Sequence, residues 1–154
     1  EYEWVVEDEV EGMYTDLVEE MQKGDGASTI DLCSFLLVKG GDEQQAVYQV
    51  EDGQQRLVTL CLLFAAIRDS GAALGDEDIR KDVQERLLPT KRKCSLVTPR
   101  VRIGHRDSEW YMRILQGDTD GMPTAKKDIN KLPSRQGRQI LTNYQYYLSR
   151  LNGE

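Results

Sequence analysis

The sequence predicts an α+β fold with a small mixed sheet, packed helices and a mainly helical second half. Three observations carry that expectation. Residues 33–38 (Cys-Ser-Phe-Leu-Leu-Val) and 46–50 (Ala-Val-Tyr-Gln-Val) are short apolar runs separated by Lys39-Gly40-Gly41-Asp42. That pattern reads as two strands joined by a polar loop. Residues 57–67 are apolar around most of a helix circumference, so that helix belongs in a core. From residue 76 onward, apolar residues recur at threes and fours, the helical period.

The elements follow in order. Tyr2 and Trp4 bracket Glu3 in an extended pattern. Across residues 8–23, Val10, Met13, Tyr14, Leu17, Val18 and Met21 form a helical stripe, and acidic side chains crowd the first turns, where the helix dipole favours them. Gly24-Asp25-Gly26 ends that helix. After the two strands comes the central helix, expected to stop at Ser70-Gly71. Residues 76–88 form a further helix with Ile79, Val83, Leu87 and Leu88 on one side, closed by Pro89. Leu96-Val97 and residues 101–103 suggest a short extended pair. Residues 107–115 predict a helix capped by Asp107 or Ser108, packing through Trp110, Tyr111, Ile114 and Leu115. Residues 116–130 read as loop, with Lys126-Lys127 a solvated surface. A last amphipathic helix runs through residues 140–148 and presents Ile140, Tyr144, Tyr147, Leu148 and Leu151 to the core, with Tyr146 on another side.

Charge and cysteine content narrow the function classes. The 154 residues fit one domain, with a core over residues 1–88 and a mainly helical extension over 89–154. A net charge of -7 argues against a free-standing duplex-DNA binder, which is usually basic. No stretch is apolar for long enough to span a membrane, so a cytoplasmic domain without membrane contact is expected. Cys33, Cys61 and Cys94 are unclustered and read as reduced packing residues without a disulfide. A single histidine, His105, leaves no zinc cluster and reads as a surface or structural residue. The opening Glu1-Tyr2-Glu3-Trp4 lacks an initiator methionine and is read as the start of a piece of a longer protein.

Chemistry concentrates at Glu51-Asp52-Gly53-Gln54-Gln55-Arg56, between the second strand and the central helix. Asp52-Gly53 supplies a tight turn, because glycine tolerates positive φ. Such a turn aims the first amides of the helix outward, which makes an anion site. Arg56, one turn in, can fork onto a phosphate or carboxylate. The plain alternative is an ordinary turn and cap, with Arg56 paired to Asp52 across four residues.

The run Tyr48-Gln49-Val50-Glu51-Asp52-Gly53-Gln54-Gln55-Arg56-Leu57-Val58-Thr59-Leu60 resembles the signature of the DUF262 family. That family forms the N-terminal part of GmrSD-type modification-dependent restriction enzymes and belongs to the ParB/sulfiredoxin-like superfamily. Tyr2-Glu3-Trp4 resembles the end of the family's Arg-x-Tyr-x-Trp element, whose Arg would precede residue 1. The resemblance implies a ParB/sulfiredoxin-like fold, truncated at its N-terminus, that binds an NTP (GTP, ATP or CTP) with Mg²⁺. Gly53 through Arg56 would be the phosphate-binding Gly-x-x-Arg element. Asp52, Gln54, Gln55 and Arg56 would be catalytic, Asp52 would hold the metal through water, and all of residues 52–56 would bind the nucleotide. Sulfiredoxins place a catalytic cysteine between that Gly and Arg. Here Gln54 and Gln55 stand there, which disfavours their chemistry. Cleavage of DNA would need a separate C-terminal nuclease-like domain.

Three functions therefore compete: a nucleotide-binding and NTP-hydrolysing regulatory domain of a restriction or defence protein, a DNA-sensing module without turnover, and a partner-docking domain. Homo-oligomerisation is compatible with each. No Walker-type Gly-rich Lys loop is present, so a P-loop NTPase is not expected. For DNA sensing, Lys91, Arg92, Lys93, Arg100 and Arg102 would track the phosphate backbone, with Arg106 nearby. The plain reading of that run is a solvated loop.

Overall fold

The computed structural model of the chain describes residues 3–23, 36–40, 47–73, 75–88, 99, 101–104 and 108–153. After Val5, which is extended, a π-helical turn over Val6–Val10 leads into α1 (Glu11–Gln22). Strands β1 (Leu36–Gly40) and β2 (Val47–Asp52) pair antiparallel, with Leu37 opposite Val50 and Lys39 opposite Tyr48. Then come α2 (Gln54–Ala73), α3 (Glu77–Leu87), α4 (Ser108–Gln116), the single turn α5 (Lys126–Ile129) and α6 (Arg135–Asn152). Among the described residues the fold is helix-rich with one two-stranded sheet. No helix of the described residues is long and apolar enough to cross a membrane.

Helix α2 is central, as its all-round apolar sequence requires. It packs against α3, α4 and α6. Val58, Leu62, Leu63, Ala65 and Ala66 are buried, and they meet Tyr111, Ile114 and Leu115 of α4 and Ile140, Leu141, Tyr144 and Tyr147 of α6 in one core. Small alanines at 65 and 66 let neighbouring helices approach closely. Truncating a fully buried leucine such as Leu62 in a packed core of this kind typically costs about 2–5 kcal/mol. A ring cluster of Tyr14, Tyr146 and Tyr147 ties α1 to α6, with the Arg150 guanidinium over Tyr14 and Tyr146.

Several boundaries depart from the sequence expectation. α2 continues through Ser70-Gly71 to Ala73 because Ser70 is buried, with its hydroxyl on the Ile67 carbonyl, and Gly71 sits against Ile79 of α3. Of the four apolar residues expected on one side of α3, Val83, Leu87 and the adjoining Leu88 are buried, and Ile79 is exposed. Lys39 and Gly40 lie within β1 rather than breaking it. Residues 101–104 form no strand. The Tyr111 hydroxyl donates to the Val101 carbonyl at 3.2 Å, docking this segment on α4 through a side chain. The 116–130 stretch contains α5 and buries Met122 and Ile129, two apolar residues sufficient to seat a single turn. Asp76 and Ser134 cap α3 and α6 by accepting from the amides of Ile79 and Gly137. Leu96-Val97, His105 and Asp107 lie outside the described residues, as do Cys33 and Cys94. Cys61 is a free thiol, and burial pushes its ionisation up.

Arg68, on α2, is almost completely buried yet fully satisfied. Its Nε and Nη2 fork onto Asp69, each at 2.8 Å. Nη1 donates to Gln84 Oε1 of α3 at 2.8 Å and to the Leu115 carbonyl at 2.7 Å. Nη2 also reaches the Ile114 carbonyl at 2.7 Å. The last two are C-terminal carbonyls of α4, so a positive charge sits where that helix dipole is negative. Gly117, at φ +74°, turns the chain away just beyond. A Cβ there would come 3.5 Å from the guanidinium carbon, at a backbone angle that disfavours side chains. The second Asp69 oxygen accepts from the Tyr144 hydroxyl of α6 at 2.5 Å. One guanidinium and one carboxylate thus bind four helices.

Two outcomes follow from this cluster. Arg68→Met should lower unfolding free energy by about 3–5 kcal/mol, since it leaves a carboxylate and helix-end carbonyls without their donor. Arg68→Lys should recover only part, because one ammonium cannot reproduce the fork. Urea denaturation measures both. Burial, then the hydrogen bond to Asp69 and its charge, raise the Tyr144 phenol well above the ordinary tyrosine value, with Arg68 partly opposing. The unfolded phenol ionises near pH 10, so this contribution is complete below about pH 10 and is lost as pH rises toward the higher native value. Tyr144→Phe should therefore flatten the decline of stability above about pH 10 and cost roughly 1.5 kcal/mol at pH 7. Denaturation curves from pH 7 to 11 check this.

Candidate functional site

The turn at residues 52–56 is built by direct transition from β2 to α2. Only Gly53 separates the two elements, at φ +85°, and it is buried. A side chain at that angle is strained, so the position calls for glycine. The Asp52 carboxylate folds over the corner and accepts from the Gly53 amide at 2.8 Å. The Gln54 side-chain amide donates back to the Val50 carbonyl at 2.6 Å, fastening the end of the strand to the start of the helix. The first helical bond runs from the Leu57 amide to the Gly53 carbonyl at 3.2 Å. The amides of Gln54, Gln55 and Arg56 precede it at the positive end of the α2 dipole. Arg56 is half-buried in that first turn.

Gln55 has a different partner. Its Oε1 accepts from the Glu3 amide at 2.9 Å. From the other side, Gln139 of α6 donates through Nε2 to the Glu3 carbonyl at 2.8 Å, and Asn143 donates through Nδ2 to the Trp4 carbonyl at 2.9 Å. The extended start of the chain is therefore strapped between the turn at residues 52–56 and the α6 helix by three side chains that each bind its backbone. The two regions are neighbours through a single residue, Glu3, whose amide meets Gln55 and whose carbonyl meets Gln139.

Beyond the strap lies a pocket of about 340 Å³. One wall is Arg135, Arg138, Gln139, Thr142 and Asn143, spaced at i, i+3, i+4, i+7 and i+8 on α6, and residues 5–7 with Asn130 form the rest. Arg138 is held by the carbonyls of Leu132 and Pro133. Among the described residues, Arg135 has no ion-pair partner. The Gln139 Oε1 atom is buried and accepts no hydrogen bond.

Of the residues expected from sequence to act, the structure brings Asp52 to Arg56 together at one corner. Asp52, Gln54 and Gln55 each hold a backbone partner there. The Gly53 amide donates to Asp52, which takes it out of the set of unpaired amides at the start of α2. Among the described residues no three His, Cys, Asp or Glu side chains gather as a metal site. Lys91, Arg92, Lys93, Arg100 and Arg106 lie outside the described residues, and Arg102 is exposed. The α6 polar stripe was missed in the sequence. The signal was available, since polar residues at helical spacing occupy one side of a helix whose other sides are apolar. Comparisons with protein-family models, with curated proteins and with solved structures gave no match.

The strap is directly testable. Gln55→Leu removes the acceptor for the Glu3 amide and should cost about 1 kcal/mol. Native-state hydrogen exchange should show the Glu3 amide exchanging faster while the Val58 amide, in the buried body of α2, is little changed. An unaltered Glu3 rate would mean that the bond is not formed in solution.

Proposed function

We propose that the chain is a nucleotide-binding regulatory domain, with phosphate held at the start of α2. The observation that carries this reading is the corner itself. A buried glycine at positive φ delivers the chain from β2 into a 20-residue core helix, with Arg56 in its first turn. The amides of Gln54 to Arg56 and the dipole of α2 favour an anion at that end. The Arg56 guanidinium adds a forked cation suited to phosphate. Asp52 keeps its second oxygen beside the corner and would hold Mg²⁺ through water. Gln54 and Gln55 support the reading by fixing the strand end and the strap, which keeps the helix start pre-organised. Bound Mg²⁺ would neutralise phosphate charge. Hydrolysis of an NTP, a restriction or defence setting, the DUF262 resemblance with its ParB-like fold and a partner nuclease-like domain belong to the same proposal.

The test is calorimetric titration with GTP, ATP and CTP in the presence of Mg²⁺. At least one should bind, and Arg56→Ala should weaken it by about 2–3 kcal/mol while the circular dichroism spectrum is retained. Equal affinity in variant and parent would remove the phosphate role from Arg56. Loss of the folded spectrum would assign Arg56 to holding the corner.

A further inference from the structure

The first turn of α6 is charged against its own helix. A helix start favours carboxylates, yet α6 has no acidic residue there and carries Arg135 at its first position and Arg138 one turn later. Among the described residues neither arginine has a carboxylate within ion-pair distance, whereas Arg68, Arg80, Arg86, Arg113 and Arg150 each do. Both unpaired arginines line the same pocket of about 340 Å³. We infer that this pocket binds a small organic anion, whose carboxylate or phosphate oxygens engage the two guanidinium groups.

The donors are available and one of them is held in place. Nη1 of Arg138 is tied to the carbonyls of Leu132 and Pro133, which leaves Nε and Nη2 without a partner among the described residues. Arg135 has none there at all. The neighbouring Gln139 and Asn143 direct their NH₂ groups to the carbonyls of Glu3 and Trp4, so the guanidinium groups are the donors left to a ligand from that wall, with the Thr142 hydroxyl beside them. A carboxylate or a phosphate takes such donors with charge-assisted hydrogen bonds and offsets two cations that the helix dipole opposes. The pocket has room for more than the anionic group, since its volume falls in the range of small-molecule sites, roughly 300–1,000 Å³. Val5 and Val6, half-buried in the lining, give the body of the ligand apolar surface to cover. Glu7 is the one carboxylate in the lining, and it is exposed. It repels an anion from its side and so places the anionic end at the arginines. The inference does not depend on the role given to Arg56.

The experiment uses the 154-residue chain with phenyl phosphate, benzoate, benzyl alcohol and inorganic phosphate as probes. Affinities are read by calorimetry, and the site is located by NMR shifts of the Arg138 and Thr142 amides. Phenyl phosphate or benzoate should bind about tenfold or more tighter than benzyl alcohol, which has no charge, and tighter than inorganic phosphate, which has no apolar body. The tighter of the two aromatic anions tells whether phosphate or carboxylate is the preferred head. Arg135→Ala, at an exposed position, should weaken that anion about ten- to hundredfold, with Arg135→Lys in between and the circular dichroism spectrum retained. Glu7→Gln should tighten it, and added NaCl should weaken it. Arg56→Ala should leave affinity at this pocket unchanged, which separates it from the α2 corner. Absence of binding by both aromatic anions at millimolar concentration overturns the inference. So does benzyl alcohol or inorganic phosphate binding as tightly, or an Arg135→Ala variant that binds like the parent.

Discussion

The Arg68–Asp69 pair is the constraint on which the helical assembly depends. A guanidinium this deeply buried is tolerated because its fork and its three remaining contacts are filled, by Asp69, Gln84 and the final carbonyls of α4. The geometry is demanding in both directions. α4 must end where the arginine can reach Ile114 and Leu115, and Gly117 must leave room beside the guanidinium. Tyr144 then closes the cluster from α6. Apolar packing alone would permit α4 and α6 to slide along α2. Directional bonds to helix ends and to a single carboxylate fix their registration.

That registration places the functional regions. With α6 fixed to α2 through Tyr144 and Asp69, Gln139 and Asn143 face the chain's extended start, which Gln55 grips from the other helix. The corner at residues 52–56 and the polar wall of α6 thus share a boundary made from one stretch of backbone. Changes in either region are felt by that stretch first.

Much of this was legible in the sequence, and the reasons for the exceptions are physical. The central position of α2 follows from an apolar run broad enough to meet α3, α4 and α6 at once, with Phe64 left exposed on the remaining side. Apolar residues at helical spacing announced α3 and α6, and Asp52-Gly53 announced the corner. The end of α2 was misread because Ser70 and Gly71 are helix-ending types only when solvent can reach the backbone. Here burial and the packing of α3 hold the helix for another turn. Arg68 gave no signal, since a cation just past an apolar run and followed by Asp69-Ser70 resembles a surface residue until its partners on α3 and α4 are known. These partners are 16 and 46–47 positions away along the chain. Gln54 and Gln55 were expected from the sequence as site residues. Their partners are backbone groups, one local and one 52 positions distant, which composition cannot reveal.

The grip on the chain's opening segment has a further consequence. The bonds from Gln55, Gln139 and Asn143 to residues 3 and 4 go to amide and carbonyl groups, so these bonds are blind to side-chain identity. Most replacements at position 3, whose side chain is exposed, leave the donor and acceptor in place. Proline is the exception, since it has no amide hydrogen to give Gln55. The segment can therefore drift widely in sequence at that position while keeping its attachment, and its tolerance map should show one forbidden residue there rather than a preferred one.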